Sequence, residues 1–364
     1  CLLSRGLGDV YKRQVWENLN ENAMPLLEGV ILMNDYTLLV SRSSKLDYAR
    51  DHLNELFGKK YPRNFRREHV SYRRDTPEEL AVINYTSGTT GFSKGVMLTG
   101  NNLAGNVMYG IELGVLYRGE RELCFLPLAH AYSCAFNFLV PMAVGAHVYL
   151  LGKVPSPKIL LKAFEEVKPN LILTVPLILE KIYKKMILPQ LSKTTMKVAL
   201  NIPLLDSRIY AQIRKKLVDA FGGRFREVIV GGAAMNEEVT NFLYKIKFPF
   251  TIGYGMTECG PLISYDHNDE YVPGSCGQIL KGIMKVRIDS EDPYNKVGEI
   301  QVSGENVMKG YYKNEEATSK VFTEDGWLRT GDLGTIDADN RIYIRGRSKT
   351  MILGAVSYTH LRAH

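Results

Sequence analysis

Residues 84–98 read Asn-Tyr-Thr-Ser-Gly-Thr-Thr-Gly-Phe-Ser-Lys-Gly-Val-Met-Leu. An apolar run, Leu80 to Ile83, leads into this hydroxyl- and glycine-dense loop, and Thr99 then offers a side-chain oxygen to cap a helix opening at Gly100. Gly88, Gly91 and Gly95 let the backbone turn its N–H groups toward a ligand. Thr86, Ser87, Thr89 and Thr90 add hydroxyl donors, and Lys94 supplies a mobile positive charge. Such a loop can wrap a polyphosphate. It is not a Walker A loop, because Ser93 stands where a glycine must precede the lysine. A polar surface turn is the plainer alternative, and it leaves this density of glycine and hydroxyl unexplained.

Four more motifs follow in order. Gly231-Gly232-Ala233-Ala234 succeeds a strand-like Glu227–Val230. Then come Gly253-Tyr254-Gly255-Met256-Thr257-Glu258, Gly326-Trp327-Leu328-Arg329-Thr330-Gly331-Asp332 and Arg345-Gly346-Arg347-Ser348-Lys349. Together they resemble the adenylate-forming (AMP-binding) superfamily of acyl-CoA synthetases, luciferases and peptide-synthetase adenylation domains. The resemblance implies an α/β fold: a partial large N-terminal domain with sheet and helix layers, a small β-barrel subdomain, and almost none of the mobile C-terminal domain.

The ends read differently. Residues 4–14 and 357–364 look like a sequencing-library adapter translated from opposite strands, so residues 1–14 and 355–364 are set aside from fold reasoning. The expectation is an internal piece of a longer protein. The family's catalytic lysine would then lie beyond it, and the piece would bind ATP weakly and adenylate poorly.

At 364 residues the chain can bury a large core, and 45% hydrophobic with 23% charged residues is ordinary for a globular protein. Cys124, Cys134, Cys259 and Cys276 show neither zinc spacing nor close pairing and read as reduced, buried thiols of a cytoplasmic protein. The longest apolar run, Ala135–Leu151, is broken by Pro141 and Gly145 and reads as a buried helix–turn–strand rather than a membrane span. Residues 181–226 hold eleven basic and two acidic residues, +9 against +7 for the whole chain. A solvated helical face is the plain reading. The sharper one is peripheral contact with an anionic membrane, at its inner face. No nucleic-acid recognition motif accompanies the charge.

Apolar runs alternate with amphipathic stretches from Val15 to about Tyr265, predicting an α/β core over 15–270. Ala146–Leu151 and Leu171–Val175 read as strands. Ser156-Pro157 opens a helix ended by Lys168-Pro169, Pro176 opens another, and a third runs from Asp206 to Phe221 and stops at Gly222-Gly223. From Tyr271 the period shifts to two in 285–288, 299–302 and 341–344, predicting a small β-rich subdomain over 271–345. Residues 346–354 would hold a hinge and the start of a further domain.

Adenylation joins a carboxylate to the α-phosphorus of ATP and expels pyrophosphate, so the site needs cationic and N–H stabilisation with Mg²⁺ rather than acid–base machinery. The resemblance assigns the pyrophosphate to residues 86–95 with Lys94 as charge partner. It places Gly231-Gly232-Ala233 and Gly253 to Met256 against the nucleotide, with Tyr254 stacking on adenine. Thr257 bonds the α-phosphate, and Glu258, with Thr86, is a hard-oxygen ligand for Mg²⁺. Asp332 accepts the ribose hydroxyls, Arg347 reaches the nucleotide, Lys349 is the hinge, and His130 lies near the acyl carboxylate. Pro127–His130, Gly274–Gln278 and the basic helical stretch look most like bacterial long-chain fatty acyl-CoA synthetases, whose co-substrate is coenzyme A. Ala135–Val144 could line an acyl tunnel or be plain core. An acyl-AMP ligase loading a carrier protein and a silent nucleotide-binding protein are the alternatives.

Overall fold

The computed structural model describes residues 20–32, 35–72, 76–86, 93–202 and 205–348, and the backbone of 351–353 and 358–360. Contacts divide the chain at Asp75/Thr76 into two compact units. The first holds an antiparallel pair, β1 (Gly29–Ile31) and β2 (Leu38–Ser41), and helices α1 (Ser44–Asp51) and α2 (Leu53–Lys60), neither of which contains a buried residue. Phe57 of α2 packs with Tyr61, Phe65 and His69 in a cluster of tilted and edge-on rings.

In the second unit, β3 (Leu80–Thr86) and β4 (Lys94–Thr99) pair antiparallel, with Thr86 opposite Lys94. The residues flanking the glycine-rich segment therefore face each other across this pair, and Lys94 begins a strand. Thr99 caps α3 (Gly100–Glu112) as its sequence predicts: its hydroxyl accepts from Asn102 N at 3.3 Å, and Asn102 Oδ1 accepts from Thr99 N at 2.8 Å.

Five parallel strands follow: β5 (Arg121–Cys124), β6 (His147–Leu150), β7 (Leu171–Thr174), β8 (Glu227–Val230) and β9 (Phe250–Ile252), in the order β6-β5-β7-β8-β9. The helices between them are α4 (Pro157–Val167), capped by Ser156; a run opened by α5 (Pro176–Ile182); α6 (Leu205–Ala220); and α7 (Glu237–Lys245). Gly222, at φ +92°, stops the turn after α6. Successive residues of β7 and β8 face opposite cores. Leu171, Leu173 and Ile229 join one, and Ile172, Val228 and Val230 the other, as a sheet covered on both faces requires. The expected Ala135–Leu151 element is there, with a π-helical segment at Cys134–Leu139. Its strand is not buried, because β6 is the outer strand and mostly exposed. Cys124 and Cys259 are buried, while Cys134 and Cys276 are only half-buried.

Antiparallel pairing begins earlier than the sequence period suggests. After the parallel sheet it resumes with β10 (Tyr254–Gly255), β11 (Leu262–Tyr265) and β12 (Gln278–Ile279). Four longer strands succeed them, β13 (Met284–Asp289), β14 (Gly298–Gly304), β16 (Leu328–Ile336) and β17 (Ile342–Arg347), paired in that order. A backbone bond from Cys276 N to Ile342 O, 2.8 Å, links the two sheets. The short β15 (Gly310–Tyr311) pairs back onto β4. One hydrophobic cluster runs from Val96 to Ile342. Residue 270 is thus no boundary between compact units, because the antiparallel strands complete the core that covers one face of the parallel sheet.

Candidate nucleotide and acyl site

The segment Gly253–Glu258 follows β9 and contains β10, and two of its side chains, Tyr254 and Glu258, have distant partners. Gly255 must be glycine: a Cβ there would collide with the carbonyl oxygen of Pro261. Tyr254 is buried, and its hydroxyl donates to Asp332 Oδ2 at 2.8 Å. Arg347 Nε donates to the other oxygen, Oδ1, at 2.9 Å, with its guanidinium mostly in solvent. Burial first, and the Asp332 carboxylate second, hold the Tyr254 phenol well above its ordinary range. Three residues read separately from sequence therefore converge. The difference is at Tyr254, whose ring is packed into the core and whose hydroxyl, rather than its face, contacts Asp332.

Four residues on, Glu258 Oε1 accepts from the Tyr311 hydroxyl at 2.8 Å, and its carbonyl accepts from Met308 N at 2.8 Å. The Lys94 ammonium sits 4.8 Å from the centroid of the Tyr311 ring. Lys94, Tyr311 and Glu258 thus form a chain, and through the β3–β4 register Thr86 lies beside it. Tyr311 was missed by sequence reasoning. A Gly-Tyr pair in a short strand carries no local sign of which distant carboxylate it will meet.

Buried asparagines brace this segment. Asn106 Oδ1 accepts from Leu262 N at 2.8 Å, and its Nδ2 donates to Asn102 O at 2.9 Å. Asn102 Nδ2 donates to Glu305 O and Val307 O, at 2.7 and 2.9 Å. Helix α3 so fixes both the turn after Glu258 and the turn before Tyr311.

His130 is exposed and precedes the short helix Ala131–Ser133. Its turn is tied to β3 by Asn84 Nδ2, which donates to Ala129 O at 2.7 Å. Two residues on, Tyr132 donates to Ile229 O at 3.1 Å, and its ring lies 3.2 Å from where a Gly231 Cβ would stand. Gly231 is buried under that ring, while Gly232 and Ala233 are exposed. Behind Tyr132 is a narrow apolar cavity of about 20 Å³, lined by Tyr109, Gly110, Phe136, Ile229 and Tyr265 among others. Phe136 comes from the expected tunnel segment, and the rest of that segment divides between core (Ala135, Val140) and surface (Phe138, Met142). Ser87, Gly88, Thr89, Thr90, Gly91 and Lys349 lie outside the described residues.

Among the described residues no cluster of three or more acidic, histidine or cysteine side chains could cage a metal. Glu258 fits the demand of Mg²⁺ in a different way. That ion takes one or two carboxylates and leaves its other positions to phosphate oxygens and water. Glu258, half-buried, with Thr86 reached through the hairpin, is a donor set of this type.

The model of the AMP-binding enzyme family matches residues 32–312. The chain belongs to the AMP-binding enzyme family. Among curated relatives of this AMP-binding chain, long-chain-fatty-acid–CoA ligase 1 of Saccharomyces cerevisiae is 30% identical over 298 residues, 76% of this chain and 42% of that protein. 4-Coumarate-CoA ligase 1 of Narcissus pseudonarcissus is 32% identical over 293 residues, 76% of this chain and 48% of that one. ATP-bound MatB from Rhodopseudomonas palustris superposes with a TM-score of 0.64 at 26% identity, over 80% of this chain and 53% of that structure. The chain spans about half the length of the curated relatives it matches.

Proposed function

We propose that this chain carries the nucleotide and acyl sites of an enzyme that activates a long-chain fatty acid to its acyl-adenylate with ATP and then transfers the acyl group to coenzyme A. The observation that carries the reading is the spacing of two constellations along one segment. Asp332 with Arg347 gathers at Tyr254, and Lys94 with Tyr311 gathers at Glu258. Four residues of chain reach at most about 14 Å, the span from a ribose to the outer phosphates of one nucleotide. One end is an anionic acceptor suited to a diol, the other a cation beside a hard-oxygen donor.

In the reaction a carboxylate oxygen bonds to the α-phosphorus while the bond to the β-phosphate oxygen breaks and pyrophosphate leaves. Lys94 offsets charge on the departing phosphates, and Thr257 presents a hydroxyl beside the α-phosphate. Mg²⁺, when bound at Glu258, would supply further charge neutralisation on those oxygens. Asp332 holds the ribose and so fixes the phosphorus in line. The apolar side chains behind Tyr132 offer a lining for the apolar part of the acid, and the cavity of about 20 Å³ there would have to widen to admit it. Its three tyrosines, and relatives that act on 4-coumarate, make an aromatic acid the second reading. We place the protein in the cytoplasm, with contact to anionic lipid through the basic stretch 181–226.

The test is carboxylate-dependent exchange of pyrophosphate into ATP by the longest open reading frame containing this sequence. The panel runs from acetate to palmitate and includes 4-coumarate, with Glu258→Ala as control. Exchange greatest with long chains and lost in the variant is expected. Exchange greatest with 4-coumarate would move the substrate class, and none with any acid would end the ligase reading.

A further inference from the structure

We propose that Tyr311 is a positioning residue of the nucleotide site: it keeps the Glu258 carboxylate and the Lys94 ammonium apart, and so leaves Glu258 free for a divalent cation. The inference rests on the nucleotide-site reading above and adds to it a residue that no motif assigned.

The two charges come from a strand and a short helical turn, 164 positions apart in sequence, and meet the same side chain on different surfaces. The phenol hydrogen goes to Glu258 Oε1, 2.8 Å away, while the ammonium lies over the ring face. A carboxylate has about four lone-pair positions. A single neutral donor on Oε1 orients the group, and Oε2 has no hydrogen-bond partner among the described residues. The ring attracts the ammonium by its face and holds it off the carboxylate. Without the ring between them, the ammonium would be free to pair with the carboxylate, and the lysine would then occupy the oxygens a cation needs.

Tyr311 is itself immobilised, which a positioning role requires. It is 6% exposed, its N–H donates to Thr318 Oγ1 at 2.9 Å, and it pairs with Val96 of β4. Its neighbours staple the same two elements: Tyr312 N donates to Gly95 O at 2.7 Å, and Met308 N to Glu258 O at 2.8 Å. Residues 308–312 therefore set the end of the glycine-rich hairpin against Glu258. A phenylalanine would fill the same volume, so packing alone does not account for the hydroxyl.

The experiment is calorimetric titration of ATP into this chain, once with excess EDTA and once with saturating Mg²⁺, for the wild type and Tyr311→Phe, with Tyr312→Phe as control. In the wild type Mg²⁺ tightens binding. Tyr311→Phe keeps the metal-free affinity and loses about tenfold of the Mg²⁺-dependent gain, the scale of a hydrogen bond to a charged group. Tyr311→Phe with the wild-type gain overturns the proposal alone. A wild type indifferent to Mg²⁺ overturns it together with the site reading. If Tyr311→Phe melts early, Lys94→Met decides. It leaves the tyrosine–glutamate bond in place, so metal-free affinity should fall while the Mg²⁺ gain stays, and loss of that gain would refute the positioning role.

Discussion

Asp332 already has a donor on each carboxylate oxygen, Tyr254 on one and Arg347 on the other. Each oxygen still has a free lone pair, so a diol can be accepted without displacing either. The two donors differ in what they contribute to the fold. Tyr254 and Asp332 are both buried, and removing the hydroxyl strips a donor from a largely desolvated carboxylate. Tyr254→Phe should therefore cost about 1–3 kcal/mol of stability in urea unfolding. The Arg347 guanidinium is 68% exposed, and Arg347→Ala should cost less than about 1 kcal/mol. Equal costs would mean that the buried hydrogen bond does not orient Asp332. The residue types were legible at all three positions. Their convergence was not, because Tyr254 and Asp332 are 78 residues apart and no local pattern encodes that pairing.

At the scale of elements, β5 and the π-helical segment Cys134–Leu139 enclose a carboxyl group with no solvent. Glu122 accepts from Asn137 Nδ2 at 2.6 Å through Oε1, and Oε2 has no hydrogen-bond partner among the described residues. Burial pushes the Glu122 carboxyl up to about 8, against a smaller opposing effect of Asn137. The folded state therefore holds a proton that the unfolded chain releases near pH 4.5. The stability this contributes is complete below that pH and fades as pH rises through about 8, a loss on the order of a few kcal/mol. His267 adds to it in the same direction. Its Nδ1 is 3.3 Å from Glu227 Oε1 and its Nε2 3.0 Å from Leu113 O, a setting filled by the doubly protonated ring. The hydrogen bond to Glu227, against burial, raises the imidazole above 6.5, so its contribution is present below that value and lost as pH rises through the raised one. Glu122→Gln keeps the shape and removes the proton, and urea midpoints measured from about pH 5 to 9 should fall less steeply in the variant. Parallel profiles would show that Glu122 is ionised in the fold. Helix starts and stops such as Thr99, Ser156 and Gly222 were readable because capping is local. The β3–β4 hairpin, β15 and the asparagine braces of α3 were not, because each depends on a partner more than a turn away, in Asn102's case about 200 residues on.

Over the whole molecule, charge is unevenly spread: residues 181–226 carry +9 of a net +7, leaving −2 for the rest. The fold neutralises part of this, since Lys215 pairs with Asp219 and Arg226 with Glu120. It leaves Lys181, Lys184 and Lys185 exposed and without ion-pair partners among the described residues. Along the helical run from Pro176, Leu179, Ile182, Tyr183 and Ile187 face the core. Leu177 and Leu188 are exposed with the lysines at positions 177, 181, 184, 185 and 188. That is a short surface stripe of lysines flanked by leucines, the composition that settles on an anionic bilayer. An enzyme taking a long-chain acid would meet its substrate there. Each lysine near such a surface is worth about 1 kcal/mol, so three together give roughly a hundredfold or more in partitioning. The chain should therefore pellet with phosphatidylcholine vesicles containing phosphatidylglycerol and stay in solution with phosphatidylcholine alone. Added salt should release it. The triple variant Lys181→Gln, Lys184→Gln, Lys185→Gln should lose most of this binding with its circular dichroism unchanged. Equal pelleting of variant and wild type would leave these lysines an ordinary solvated helix face, and the charge imbalance of the chain without a membrane role.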